Sequence, residues 1–287
     1  MGATFDCTYI HALQRMVFAM TEKKHALFSA SGSDRWLNCP GSVMLSKDLK
    51  DVPNKWALEG TKAHELLELW LKHHIKFGKR KAFKIPAGYP RDMVLAVKKF
   101  VVFLLDHWDD ETEELVVEKR VSLEHIHEDM FGTTDVSIVA HYDRLKVWDY
   151  KHGQGHVVQV SEQGHHGVVM INTQLAFYAL AAAHEYDYDF QDVEIGVAQP
   201  RAPHKLGVIR SEVFSMAELK TYEYIFRKGV ERCLKPNPKL NVGPWCHWCR
   251  AFDVCPKQTE KRAVKMGEMF DDSLDYTFDE DFNDMGF

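Results

Sequence analysis

Three residues near the middle of the chain, Asp135, Asp149 and Lys151, have types and spacings suited to the hydrolysis of phosphate esters. Apolar residues alternate with others after Asp135 and again before Asp149, which predicts two β-strands joined by a turn at Asp143-Arg144. Such a hairpin brings both carboxylates to one end of a sheet, with Lys151 on the same face as Asp149. Two carboxylates and an ammonium group can hold a divalent metal ion beside a phosphate, which is nuclease chemistry.

The cysteines indicate a second metal site. Six cysteines in a chain with no evident secretory signal favour metal or redox ligands over disulfides. Cys246, Cys249 and Cys255 are close in sequence and form an incomplete tetrahedral set. Cys39, which lies just before the first long predicted helix, is the natural candidate for the fourth ligand. Four thiolates serve zinc as well as an iron–sulfur cluster, and His247 lies in the same loop, so the spacing alone leaves the metal open.

The elements that must position these residues follow from hydrophobic periodicity and from glycine and proline breaks. We predict a small-residue loop over 29–41 and helices over about 57–76, 91–107, 172–185 and 216–233. We predict strands over 115–121, in the hairpin of 135–151, and over 193–199 and 207–214. Residues 153–167, rich in glycine and histidine, are predicted to form a loop. This order of helices and strands indicates an α/β core with flanking helices.

The order of four short motifs resembles the PD-(D/E)XK nuclease superfamily, and within it the RecB-like branch. The matching motifs are Gly60-x-x-x-His64-Glu65, Gly132-x-x-Asp135, Asp149-x-Lys151 and Gln174-x-x-x-Tyr178. Each motif alone is common, but all four in this order at these spacings are specific, and the resemblance covers about residues 29–256. It implies a restriction-endonuclease-like core, in which helices flank a central mixed β-sheet.

The resemblance also implies roles for these residues. Asp135 and Asp149 would bind Mg²⁺ or Mn²⁺, with the Tyr150 backbone carbonyl as a further oxygen ligand and His64 as a nitrogen ligand. Lys151 would orient the attacking water or stabilise the transition state. Gln174 and Tyr178, one helical turn apart, would reach the phosphate or support the metal ligands.

One early and three late cysteines resemble the iron–sulfur version of this fold, found in AddB-type and CRISPR-associated nucleases. The resemblance implies that Cys39, Cys246, Cys249 and Cys255 hold a structural [4Fe–4S] cluster in a cysteine-bound C-terminal region. Zn²⁺ is the alternative. Catalysis would stay at the carboxylates.

The C-terminal segment is strongly acidic. Residues 266–287 contain eight acidic residues and no Lys or Arg, so the rest of the chain carries +2 of the total net charge of −6. We predict an N-terminal extension over 1–28, a RecB-like nuclease domain over 29–256, and an acidic, disordered tail over 257–287. The tail resembles those of phage single-stranded DNA-binding proteins, which dock on partners, so replication or recombination proteins are its predicted partners.

The sequence therefore predicts a metal-dependent DNA nuclease, an exonuclease of phage-type replication or recombination that acts on DNA ends or single strands. The alternatives are a non-catalytic DNA-binding or scaffold module on the same fold and a structure-specific endonuclease. No apolar run approaches the about 20 residues that span a bilayer, so we predict no membrane partner and a cytoplasmic location, in the host if the chain is phage-encoded.

Overall fold

The computed structural model describes residues 26–140, 144–164, 168–186 and 190–262. The chain divides into two compact units. The first contains the chain up to Ser33 and Lys55–Tyr224, and the second contains Asp34–Asn54 and the chain from Ile225 onward. Our predicted domain boundaries are not tested by this division and stay a prediction. Most of the predicted N-terminal extension and tail lies outside the described residues.

The main sheet of the first unit is mixed. Within the described residues its strands are β1 (Glu113–Ser122), β2 (Phe131–Ala140), β3 (Arg144–Tyr150), β6 (Asp192–Ala198) and β7 (Ile209–Ser215), adjacent in that order. β3 pairs with β6 in parallel, and the other neighbours are antiparallel. A separate ribbon pairs β4 (Ser161–Gln163) with β5 (Val169–Ile171). β3 is buried over most of its length, as expected for a central strand with both faces covered.

Two amphipathic helices cover part of the sheet. They are α3 (Lys55–Phe77) and α4 (Arg91–His107), and both bury an apolar stripe of helical period in the main core. On α3 this stripe includes Ala63, Leu66, Leu67 and Trp70, the face predicted from the sequence. The core continues onto the sheet through Trp148 and Tyr150.

The helix α5 (Thr173–Glu185) is buried on most sides. Its alanines and leucines pack inside the unit, which explains a sequence that is apolar nearly all round. The Asn172 side chain caps it by accepting hydrogen bonds from the backbone N–H groups of Gln174 and Leu175. The cap fixes the first turn, where Gln174 lies.

The second unit is built from short helices and the end of a long one. These are α1 (Ser33–Asn38) and α6 (Met216–Cys233), both of which begin in the first unit, α2 (Gly41–Ser46), a 3₁₀ turn (Pro244–Trp248) and a helical segment over residues 256–262. Trp36 is fully buried against Phe226. A Cβ atom on Gly229 would lie 2.7 Å from the Trp36 ring, so the glycine lets the helix approach the indole closely.

The predicted helices 91–107 and 216–233 are confirmed with the same bounds, and the other predicted helices and strands agree within two residues, except that β2 begins four residues before the predicted hairpin. The predicted loop over 29–41 is wrong, because Ala30–Gly32 and α1 are helical. These helices are too short for a periodic pattern, and burial of Trp36 stabilises the turn. The predicted 153–167 loop contains β4, and its residues 165–167 lie outside the described residues. No described helix is long and apolar enough to cross a membrane.

Candidate functional site

The ends of β2 and β3 bring the two central aspartates together. Val136 pairs with Trp148, and continuing this antiparallel register by one step places Asp135 opposite Asp149. The backbone N–H of Tyr150 donates to Asp135 Oδ2 at 2.6 Å, which holds the carboxylate at the sheet end. The hairpin predicted from the alternation is therefore present, although residues 141–143 of its turn lie outside the described residues.

Asp149 is buried and shares a polar cluster with Lys151 and Gln174. Lys151 Nζ lies 3.0 Å from Asp149 Oδ2 and donates to Gln174 Oε1 at 3.2 Å. Gln174 Nε2 donates to Asp149 Oδ1 at 3.0 Å. Burial raises the pKa of the Asp149 carboxyl, against the opposing charge of Lys151. Despite the nearby ammonium group, Asp149 Oδ2 accepts no well-formed hydrogen bond among the described residues.

His64 and Glu118 complete a group of metal-type ligands with Asp135. His64 Nδ1 lies 3.2 Å from Asp135 Oδ1 and 3.9 Å from Glu118 Oε1. One ligand atom from each of the three residues lies within 4.8 Å of the other two. Burial opposes protonation of the imidazole, but Asp135 and Glu118 outweigh it and raise the pKa of His64 to about 10.

Glu118 is the ligand-type residue that the sequence analysis missed. It lies in β1 between Val117 and Lys119, whose partners on β2 flank Asp135, so the register faces it toward that aspartate. Its φ of 51° lies in the left-handed region, which is uncommon for a residue with a side chain. Neither a motif nor the strand pattern marks this position, because the backbone conformation that aims the side chain is invisible in the sequence.

Tyr178 packs against the strand that carries Asp135. A Cβ atom on Gly132 would lie 2.9 Å from Tyr178 Cε1, so the glycine makes room for the phenol ring. Burial, then the charges of Asp149 and Asp135, raise the pKa of Tyr178, which therefore stays a neutral phenol. This packing accounts for the glycine of the Gly132-x-x-Asp135 motif.

A second polar network begins at the side-chain hydroxyl of Tyr150. The Tyr150 ring packs edge-on against His64, and its hydroxyl lies 3.0 Å from His152 Nδ1. Arg201 Nη1 donates to His152 Nε2 at 2.6 Å and to Glu59 Oε1 at 2.5 Å. Burial, then the charge of Arg201, lower the pKa of His152, which fits a neutral imidazole that accepts from arginine. No motif in the sequence singles out His152, so this network was not predicted.

The four predicted cluster cysteines line one pocket of the second unit. Arg35, Asn241 and Trp245 also line this cysteine pocket, which we define by Cys39, Cys246, Cys249 and Cys255. The backbone N–H of Asn241 donates to Cys39 Sγ at 3.3 Å, and that of Gly243 donates to Cys246 Sγ at 3.4 Å. All four residues are in the described part of the chain, and no three of their sulfur atoms lie within 4.8 Å of one another.

The structure thus brings together His64, Asp135, Asp149, Lys151 and Gln174, with Tyr178 beside them, and it adds Glu118. We call His64, Glu118, Asp135, Asp149, Lys151 and Gln174 the carboxylate site. The backbone N–H of Tyr150 bonds Asp135, and the predicted ligand role of the Tyr150 carbonyl stays a prediction.

Two solved structures are similar in outline to this chain. A crystal structure described as "Putative exonuclease" from Eubacterium rectale is 10% identical over 91% of this chain and 94% of its own, with a TM-score of 0.48. The crystal structure of SSO0001 is 11% identical over 88% of this chain and 98% of its own, with a TM-score of 0.35. Both TM-scores are below 0.5, so neither similarity bears on the function.

A family model identifies the chain's relatives more directly. The model described as "Protein of unknown function (DUF2800)" matches residues 25–280, which is most of the chain. The chain belongs to the DUF2800 family.

Proposed function

We propose that this protein is a divalent-metal-dependent nuclease that hydrolyses phosphodiester bonds of DNA at the carboxylate site. The observation that carries the proposal is the convergence of two residue groups at one end of the sheet. His64, Glu118 and Asp135 supply metal-type ligand atoms within 4.8 Å of one another. The residue opposite Asp135, Asp149, holds a lysine ammonium group at 3.0 Å.

The donor set fits Mg²⁺ or Mn²⁺. Two carboxylates offer the oxygens that both ions prefer, and one imidazole makes Mn²⁺ acceptable. The buried Asp149 Oδ2, which accepts no well-formed hydrogen bond among the described residues, is a further oxygen available to a cation. His64, Glu118 and Asp135 would hold the ion. A bound ion supplies a water of lowered pKa and neutralises charge on the scissile phosphate.

Asp149 and Gln174 hold the Lys151 ammonium group in position for the substrate. Its ammonium group has three N–H donors, of which one bonds Gln174 and a second faces Asp149 Oδ2 in the ion pair at 3.0 Å. The third is available to a phosphate oxygen, where a fixed positive charge stabilises the extra negative charge of the transition state. Gln174 bonds both Lys151 and Asp149, so it fixes the position of each, and the capped first turn of α5 fixes Gln174.

We further propose that the cysteine pocket holds a structural [4Fe–4S] cluster. The sequence resemblance supports the cluster over Zn²⁺, in that one early and three late cysteines match the iron–sulfur version of the fold. The four cysteines line one pocket, as either metal would require. Two backbone N–H groups directed at Cys39 and Cys246 also suit cluster-bound thiolates, whose sulfurs accept such bonds.

The finer assignment is an exonuclease that acts on DNA ends or single strands. It comes from the resemblance in the sequence, as do a phage-type role and a partner of the acidic tail. The non-catalytic scaffold is the alternative, and it differs from the nuclease in having no metal-dependent turnover.

The experiment is degradation of labelled linear and circular DNA, single- and double-stranded, with Mg²⁺, Mn²⁺ or a chelator. We expect metal-dependent loss of linear substrates from their ends and none in Asp135→Asn. The matched control is Asp106→Asn, which neutralises an exposed aspartate on α4 and should leave the activity unchanged. Cleavage of circles would favour the endonuclease. Inactivity on every substrate, in protein whose cysteine pocket contains its metal, would favour the non-catalytic scaffold over the nuclease.

A further inference from the structure

A second group of ligand-type side chains lies outside the carboxylate site. His125 is in the turn after β1, His184 is in the last turn of α5, and Glu223 is on α6. One ligand atom from each lies within 4.8 Å of the other two. We propose that His125, His184 and Glu223 form a second metal site, which binds a transition-metal ion such as Zn²⁺.

The distances suit a zinc ion. His125 Nε2 lies 3.2 Å from Glu223 Oε1, and the rings of His125 and His184 are 4.3 Å apart between centroids. Tetrahedral Zn²⁺ with bonds of about 2.0–2.1 Å holds neighbouring ligand atoms about 3.4 Å apart. The side chains are therefore near coordinating distances already, and small changes in side-chain torsions would complete the set.

The chemistry of the ligands selects the ion class. Two imidazoles and one carboxylate suit Zn²⁺, Ni²⁺ or Cu²⁺, whereas Mg²⁺ prefers oxygen ligands. Within the described residues, His184 forms no hydrogen bond to the protein through its ring, so a ring nitrogen is available to a metal ion. Both histidines are exposed, which gives the ion a route from solvent and leaves room for water as a fourth ligand.

Such an ion would act as a structural link. It would tie the turn after β1 to the C-terminal end of α5 and to α6. Gln174 lies in the first turn of α5, ten residues before His184, which corresponds to about 15 Å along the helix axis. The ion would anchor the end of the helix opposite to Gln174, and this inference does not depend on the proposed nuclease activity.

The test is acylation of histidines by diethylpyrocarbonate, mapped by mass spectrometry on the full chain with and without Zn²⁺. Bound zinc blocks the ring nitrogens, so we expect protection of both His125 and His184. His107 is the control, because it is exposed on α4 away from other ligand groups among the described residues, and it should react equally with and without zinc. Protection should persist in Asp135→Asn, which separates this site from the carboxylate site.

Two variants make the test specific. Glu223→Gln should raise the zinc concentration needed for protection by at least about tenfold. His125→Ala should abolish protection of His184 at concentrations that protect it in the wild-type chain. Both positions are partly or fully exposed, and circular dichroism verifies the fold of each variant. Unchanged acylation of His125 and His184 at every zinc concentration would overturn the proposal. Protection of His184 that is undiminished in His125→Ala would also overturn it.

Discussion

Glu118 has an unusual backbone conformation and supplies a carboxylate to the carboxylate site. Its left-handed conformation costs about 1–3 kcal/mol and persists only where surrounding structure determines it. Pairing of β1 with β2 on both sides of Glu118 supplies that constraint. The result is a carboxylate held 3.9 Å from His64, beside Asp135. We therefore place Glu118 among the metal ligands.

Replacement of Glu118 tests this role. Glu118→Gln keeps the side-chain length but removes the negative charge, so Mn²⁺ affinity should fall by at least about tenfold. Isothermal titration calorimetry measures the affinity. Glu114→Gln, an exposed glutamate of the same strand, is the control and should bind Mn²⁺ like the wild-type protein. Equal affinity in the two variants would remove Glu118 from the ligand set.

The protonation of His64 gives a prediction with a definite sign. In metal-free protein its pKa is about 10, above the ordinary 6.5, because the neighbouring carboxylates outweigh burial. Its ion pair therefore stabilises the folded state fully below pH 6.5, and this stabilisation is lost as the pH rises through 10. A metal ion must displace the proton, so Mn²⁺ binding should strengthen as the pH rises from 7 toward that pKa.

Nuclear magnetic resonance of the imidazole nitrogens in the presence of a chelator measures this titration. Asp135→Asn should lower the His64 pKa, because the nearest carboxylate charge is removed. A midpoint near 6.5 in the wild-type protein would contradict the proposed ion pair.

Strand alternation anticipated the proximity of Asp135, Asp149 and Lys151, because it fixes which residues share one face of a sheet. The resemblance of the motifs, and not the spacing, placed Gln174 beside them. The sequence could not anticipate Glu118, whose direction depends on one left-handed residue. Nor could it anticipate the contacts of His152, because its partners Arg201 and Glu59 are distant in the chain.

At the scale of elements, α5 and β2 are held at a close approach by Gly132. Gly132→Ala would place a methyl group 2.9 Å from the Tyr178 ring, so the helix or the ring must move. We expect a loss of stability of about 1–3 kcal/mol. Misplacement of Gln174 should lower the cleavage rate by about 10–100-fold. Thermal unfolding and the DNA degradation assay provide the two measurements.

Gly60→Ala is the matched control for this substitution. A Cβ atom at Gly60 meets nothing within 4 Å, and the residue lies in the interior of α3. The change should stabilise the protein by about 0.5–1 kcal/mol, because alanine is the better helix former. A destabilisation equal to that of Gly132→Ala would show that close packing is not the cause.

Long elements were predictable and short ones were not. The helix Arg91–His107 buries a regular apolar stripe over more than four turns, so its period is unambiguous. The helix Ser33–Asn38 has fewer than two turns, and burial of Trp36, which no local pattern reveals, determines its conformation.

At the scale of the molecule, the order of four motifs predicted an α/β fold with a mixed sheet, which the structure shows. The division into two units was not evident, because the second unit combines segments far apart in sequence. The cysteine pocket also combines both segments of this unit. Cys39 lies in Asp34–Asn54, and the other three cysteines lie in the segment that begins at Ile225.

The cysteine pocket gives a prediction for the second unit. Cys246→Ser should lose iron and the broad visible absorption of a cluster, and it should unfold at a lower temperature. Cys233→Ser is the control, because Cys233 lies outside the pocket lining and its buried thiol donates to the Trp36 carbonyl, a bond that a hydroxyl can replace. Zinc without iron in anaerobically purified protein would show that the pocket is a zinc site and not a cluster site.

The single-turnover rate of DNA cleavage by Lys151→Ala, measured together with its Mn²⁺ affinity, tests whether the carboxylate site hydrolyses DNA. Lys72→Ala, an exposed lysine on α3, is the control. We propose that Lys151 contacts the reacting phosphate, so its loss should lower the rate by about 10²–10³-fold while Mn²⁺ still binds. A metal-dependent cleavage rate that is unchanged in Lys151→Ala would show that the reaction occurs elsewhere.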